Sequence, residues 1–152
     1  MSARFAVIVS RFNAGITEGL LAGALEAFTE SGVATEALTV VRVPGAFEIP
    51  VAALRLAESG RFSGIVCLGC LIKGDTVHFE YIAEATMKGI MDVALASALP
   101  ISCGVLTTTT EEQAVERSVP GPENKGRDAA LAAIEMVALF AQQPFAADED
   151  AT

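Results

Sequence analysis

Apolar residues in this chain fall into short unbroken runs separated by longer stretches where they recur every three to four positions. The runs Phe5–Ser10, Leu38–Val43, Gly64–Leu71 and Ile101–Thr107 are almost continuously apolar, the pattern of strands buried on both faces of a parallel sheet. Between them the spacing turns helical. Ile16–Ser31 places Leu21, Ala24, Leu25 and Phe28 on one face and stops at Gly32. A second helix opens at Glu48-Ile49-Pro50, where proline is tolerated in a first turn, and ends by Gly60. A third runs from Thr76 to Ala98 with Phe79, Ile82, Ala83, Ile90, Val93 and Ala94 as its stripe, and Pro100 closes it. Two more helical stretches, Glu111–Arg117 and Lys125–Gln142, flank a break over Ser118–Glu123.

The β-α-β alternation predicts an α/β fold: a three-layer sandwich around a four-stranded parallel sheet of flavodoxin-like type, with right-handed crossovers. The loops after the strands then gather along one edge, namely Arg11–Asn13, Pro44–Glu48, Lys73–His78 and Thr107–Thr110. A chain of 152 residues suits one full-sized core, so a single domain over 1–143 is expected. The remainder, 144–152, ends in Asp148-Glu149-Asp150 and is expected to be a disordered acidic tail.

Composition narrows the partners. A net charge of -9 and a pI near 4.5 leave no basic stripe for nucleic acid or an anionic membrane. A hydrophobic share of 52% and a mean hydropathy of +0.49 are high for a chain that wets its whole surface, which predicts a homo-oligomer. The most apolar stretch, Ala129–Ala141, is too short to span a bilayer and contains Glu135. Met1-Ser2-Ala3-Arg4 leads straight into the first strand with no cleavage pattern, so the expected address is the cytoplasm. The odd number of cysteines suggests free thiols. Cys67 and Cys70 form a C-x-x-C inside a strand, where residues three apart point to opposite faces; the pair should neither chelate a metal nor close a disulfide. No His/Cys/carboxylate cluster has ligand spacing, and no metal is expected.

The candidate chemistry lies in the loops. His78, the only histidine, sits where a strand breaks at Gly74 and a helix begins, and Lys73, Gly74 and Thr76 read as a phosphate seat with a proton-transfer group beside it. The plainer alternative is a partly exposed structural histidine. Phe12, between Arg11 and Asn13, is placed to stack on a flat heterocycle for about 1 kcal/mol, or else to tuck under the first helix. Pro44-Gly45-Ala46-Phe47-Glu48-Ile49-Pro50 pairs a glycine that allows close backbone approach with a carboxylate suited to hydroxyl or amine donors; its plainer reading is a helix start.

Six segments occur together and in order: Arg11-Phe12-Asn13, the V-P-G-A-F-E-I-P run from Val43, G-C-L-I-K-G-D-T-V-H-F-E-Y from Gly69, G-V-L-T-T from Gly104, E-Q-A-V-E-R ending at Arg117, and Asn124-Lys125-Gly126. In these, and over nearly the whole chain to Gln142, the sequence resembles the 6,7-dimethyl-8-ribityllumazine synthase family of riboflavin biosynthesis. The resemblance implies a transferase that condenses 5-amino-6-ribitylaminouracil with 3,4-dihydroxy-2-butanone 4-phosphate and needs no cofactor. It implies that Phe12 stacks on the pyrimidine, that Ala46, Phe47 and Glu48 hold the ribityl chain, and that the backbone of Cys70, Leu71 and Ile72 reads the pyrimidine edge. Asp75 and Thr76 would hold the phosphate by their backbone amides, Arg117 would oppose it from a neighbouring subunit, and Lys125 and Asp128 would line the same side. His78 would move protons, a task for which imidazole suits neutral pH. Pentamers with sites between subunits are implied as well.

Two departures stand out. Cys103 occupies a position where relatives commonly carry a phenylalanine that covers the pyrimidine, so weaker pyrimidine binding is expected. The chain also starts close to its first core strand, without the segment that many relatives lay across a neighbour. Among rivals, the archaeal type of riboflavin synthase would need no phosphate seat, against Arg117 and Asp75-Thr76. A flavin-binding electron-transfer module would want a hydroxyl-rich loop after the first strand, which Ser10-Arg11-Phe12-Asn13-Ala14-Gly15 does not supply. A catalytically silent assembly protein has only Cys103 in its favour.

Overall fold

The computed structural model describes residues 2–147. Four strands, β1 (Phe5–Ser10), β2 (Leu38–Val43), β3 (Gly64–Ile72) and β4 (Ile101–Thr108), form one all-parallel sheet in the order β2-β1-β3-β4. Their residues alternate between two cores. Phe5, Val7, Val9, Val66, Leu68 and Cys70 pack under α1 (Ala14–Glu30) and α5 (Lys125–Phe140), with the Phe5 and Phe28 rings 4.9 Å apart. Ala6, Ile8, Ile65, Cys67 and Val105 pack under α2 (Ile49–Glu58) and α3 (His78–Ser97). Helices on both faces give the expected three layers of a flavodoxin-like α/β fold. The opposite orientations of Cys67 and Cys70 follow from the same alternation, and all three cysteines are free.

The elements fall within a few residues of their expected places, and the differences have local causes. Helix α1 begins at Ala14 because Asn13 takes a left-handed conformation (φ 63°) and its carbonyl already accepts the Ile16 and Thr17 N–H groups. Its buried face is wider than the expected stripe, adding Thr17, Leu20, Gly23 and Ala27, since α1 is covered by the sheet and by α5. Short 3-10 turns over Thr35–Ala37 and Ala46–Glu48 had no periodic signal to announce them. Helix α4 (Glu111–Glu116) starts with a capping box, in which Thr110 and Gln113 each satisfy the other's backbone.

Within the stretch expected to be a tail, residues 144–147 belong to a turn. The Phe145 and Ala146 N–H groups donate to Gln142 O at 2.8 and 2.9 Å, and the Phe145 ring lies 5.3 Å from that of Phe140. An aromatic partner on the last turn of α5 gives this short segment something to pack on. Residues 148–152, with the acidic end, lie outside the described residues. No helix among the described residues is long and apolar enough to cross a membrane.

Candidate active site

All four strands run the same way, so their carboxyl ends share one edge, and the strand order reverses direction between β1 and β3, where open α/β sheets bind ligands. A cleft of about 400 Å³ lies there, lined by Phe12, Gly45, Ala46, Phe47, Leu71, Ile72, Gly74, Thr76, His78, Phe79 and Ile82. Three loops that are far apart in sequence meet in it. The loop after β1 is laid beside the loop after β2 by bonds that extend the ladder, Arg11 N–H to Val43 O at 2.8 Å and Phe12 N–H to Pro44 O at 3.1 Å. Asn13 then ties this pair to β3, its Nδ2 donating to Cys70 O at 3.0 Å.

Phe12 is 65% exposed and Phe47 59% exposed, so two rings present apolar faces to solvent that a planar ligand would cover. Ala46 is buried beneath them. Glu48 is half-buried in the depression next to the cleft, beside Phe47, Pro50, Val51 and Ala85, with Oε1 3.4 Å from where a Cβ on Gly45 would stand. The carboxylate therefore lies over bare backbone and borders the cleft without lining it. Cys70 contributes no side chain to the cleft: its thiol is buried in the core, burial pushes that thiol up to about 11, and one lone pair of its carbonyl is taken by Asn13.

His78 is the first residue of α3 and is exposed, with its backbone N–H donating to Thr76 Oγ1 at 3.3 Å. A helix of twenty residues turns its unpaired first-turn amides outward and favours an anion in front of them. Lys73 faces the same turn, paired with Glu80 at 3.5 Å. Both members of that pair are half exposed to solvent, so it is a weak tie. Thr76 and Gly74 line the cleft; Asp75, between them, is exposed on the loop.

The remaining candidates lie elsewhere. Cys103, Arg117, Lys125 and Asp128 line a second trough, of about 540 Å³, between the open edge of β4 and helix α5. The Arg117 guanidinium donates to Gln113 O at 2.8 Å, and Lys125 Nζ lies 3.3 Å from Asp128 Oδ2. The Cys103 thiol touches Met87 Sδ at 3.4 Å, and burial raises it above its ordinary value, so it is no ready nucleophile. Within one chain, the residues expected on the neighbour's side of a shared site line a cationic trough of their own, apart from the aromatic, histidine-bearing cleft.

Sequence reasoning placed Phe79 and Ile82 in the apolar stripe of the third helix, whereas they line the cleft, and it gave no role to Asn13, which holds the cleft wall, or to Gln113 and Asn124, which hold the segment that carries Arg117. The signal for Asn13 was present in the R-F-N segment, since asparagine is one of the few residues that enters the left-handed region readily. Among the described residues, no group of three or more His, Cys, Asp or Glu could hold a metal ion.

A doubly wound α/β sheet with an aromatic cleft at its switch point and a cationic trough at its edge defines a protein built to bind small anionic, ring-bearing molecules. The chain belongs to the 6,7-dimethyl-8-ribityllumazine synthase family, whose family model matches residues 2–141. A protein of Desulfatibacillum aliphaticivorans named 6,7-dimethyl-8-ribityllumazine synthase is 49% identical over 139 residues, covering 91% of this chain and 90% of that one.

Proposed function

We propose that this chain condenses 5-amino-6-ribitylaminouracil with 3,4-dihydroxy-2-butanone 4-phosphate to 6,7-dimethyl-8-ribityllumazine, as a transferase of riboflavin biosynthesis. The observation that carries the reading is the cleft itself: exposed Phe12 and Phe47 faces, His78 and the start of α3 converge on one space at the strand ends. Phe12 stacks on the pyrimidine, Glu48 and the Ala46-Phe47 turn meet the ribityl hydroxyls, and the backbone at Leu71 and Ile72 faces the ring edge. The phosphate sits before the first turn of α3, at Asp75 and Thr76.

The chemistry asks for proton transfer at every step. The pyrimidine amine attacks the ketone and water leaves; phosphate is then eliminated; the second amine closes the ring with loss of another water. His78 delivers and removes these protons as an exposed imidazole beside both substrates. Holding two reactants in one cleft supplies much of the remaining acceleration.

The site is completed by a second copy. Arg117, Lys125, Asp128 and Cys103 line a trough of their own, and joining that trough to the neighbour's cleft makes one enclosed site. Exposed positions along α3 and at its capping residue Val77 support a ring of copies, since Val77, Tyr81, Glu84, Lys88, Met91 and Leu95 alternate in steps of four and three, the spacing of a helix seam. The pentamer is the ring we assign.

The test is lumazine absorbance and phosphate release followed together, with complementation as its second arm. At butanone phosphate concentrations near the wild-type KM, where His78→Ala and Arg117→Ala variants are each weak alone, mixed reassembly should recover about a quarter of the wild-type rate, because random neighbours unite two intact halves at one junction in four. No recovery in verified mixed oligomers would place both halves in one chain. Cys103→Phe should lower the pyrimidine KM about fivefold by adding a stacking face; an unchanged KM would mean that another residue walls that side.

A further inference from the structure

We propose that Asn124 is the positioning residue of the phosphate half-site, holding Arg117 and Lys125 side by side; this rests on the reading of Arg117 given above. Asn124 is 1% exposed and uses its whole carboxamide. Nδ2 donates to Gly19 O at 3.1 Å, Ser118 O at 3.0 Å and Val119 O at 3.1 Å, while Oδ1 accepts the Arg127 N–H at 3.0 Å. Two amide hydrogens thus serve three carbonyls, one of them shared.

Capping alone does not call for asparagine. Serine, threonine or aspartate would accept the Arg127 N–H as well, but aspartate donates nothing and a hydroxyl carries a single hydrogen on a shorter arm, so none of them could serve the other three groups. Those extra bonds fall on the two residues directly after Arg117 and on α1. On the other side of Asn124, the Lys125 N–H donates to Arg117 O at 2.9 Å. The backbones of Arg117 and Lys125 are therefore locked together through Asn124 and anchored to α1. Two glycines make room for the lock, since a methyl group on Gly23 would overlap the Asn124 amide and one on Gly126 would overlap the Leu20 carbonyl.

The lock has a functional reason. Arg117 and Lys125 line the same trough, each with a carboxylate of its own nearby, Glu116 at 3.9 Å and Asp128 at 3.3 Å, so what keeps the two cations side by side is the backbone that carries them. Rooting the guanidinium on Gln113 O fixes one end of Arg117; at the other, its carbonyl accepts the Lys125 N–H and Asn124 holds the next two carbonyls. The trough then meets its phosphate with both charges already in place, and little ordering is left for binding to supply.

Asn124→Ser keeps the cap and replaces the two amide hydrogens with one hydroxyl hydrogen on a shorter arm; Asn124→Asp keeps the shape and loses every donor. Steady-state kinetics on the assembled variants, with inorganic phosphate as an inhibitor and Arg117→Ala beside them, make the test. We expect the KM for 3,4-dihydroxy-2-butanone 4-phosphate and the inhibition constant of phosphate to rise together about tenfold, with kcat and the pyrimidine KM within about twofold of wild type. If Arg117→Ala weakens the butanone phosphate while both Asn124 variants, folded, bind it as wild type does, the positioning role is overturned and Asn124 is a cap only. Equal losses for both substrates, or failure of both variants to fold, also overturn it by making the residue a general prop. An Arg117→Ala enzyme with an unchanged KM would instead remove the phosphate reading itself.

Discussion

Replacing His78 with alanine is expected to lower turnover at least about a hundredfold, the smaller end of what a positioned acid–base group contributes, while both substrates bind nearly as before. The reason for a clean effect is structural. The imidazole is exposed at the mouth of the cleft and, among the described residues, makes no side-chain hydrogen bond; the turn is held by the His78 backbone on Thr76 Oγ1. Its removal should leave the sheet, the start of α3 and the assembly intact, which circular dichroism and sedimentation would check. Added imidazole should return part of the rate, since a small cavity at the protein surface admits it. Turnover equal to wild type after subtraction of the uncatalysed reaction would remove His78 from the mechanism.

Arg117→Ala is expected to raise the KM for the butanone phosphate about fiftyfold while the pyrimidine KM stays within about twofold. A guanidinium forking onto a phosphate makes charge-assisted bonds of roughly 1.5–3 kcal/mol, which is the range that such a loss requires. The fold should survive, because the box at Thr110 and Gln113 still starts α4 and Asn124 still holds residues 118 and 119. Arg117→Lys should recover only part of the affinity, since an ammonium supplies the charge without the planar fork. Raising the salt concentration should weaken the wild type more than the alanine variant. Equal losses for both substrates would move the phosphate seat away from Arg117.

Much of this molecule was legible before any coordinates. Near-continuous apolar runs can only be strands covered on both faces, so the parallel sheet, the three layers and the shared edge of loops followed from patterning. The strand after Gly64 identified itself by the same rule, and the two cysteines within it were separated by simple alternation. The local motifs were equally clear: four of the six ordered segments lie at or run into strand ends, where such folds bind ligands, and the other two lie on α4 and at the start of α5. The roles of Phe12 and Thr76 were argued from that position, and both residues line the cleft.

What escaped the sequence is everything that depends on one segment meeting a distant one. Asn13 on Cys70 O and Asn124 on Gly19 O join residues far apart along the chain, and no periodicity announces a single polar side chain bonding to remote backbone. The pairing of Lys73, on the loop after β3, with Glu80, on the first turn of α3, is another contact that the pattern of apolar positions does not announce. The resemblance already implied that Arg117, Lys125 and Asp128 act from a neighbouring subunit; that they line a trough where α5 packs against the open edge of β4, away from the mouth between β1 and β3, was decided only by the packing. The sequence by itself determined the layers, the strand ends and the kinds of side chain brought to them, because hydrophobic period and local backbone preference act over a few residues. The tertiary structure alone decided which of those side chains share a space, because distances between remote segments are set by how whole helices pack on the sheet.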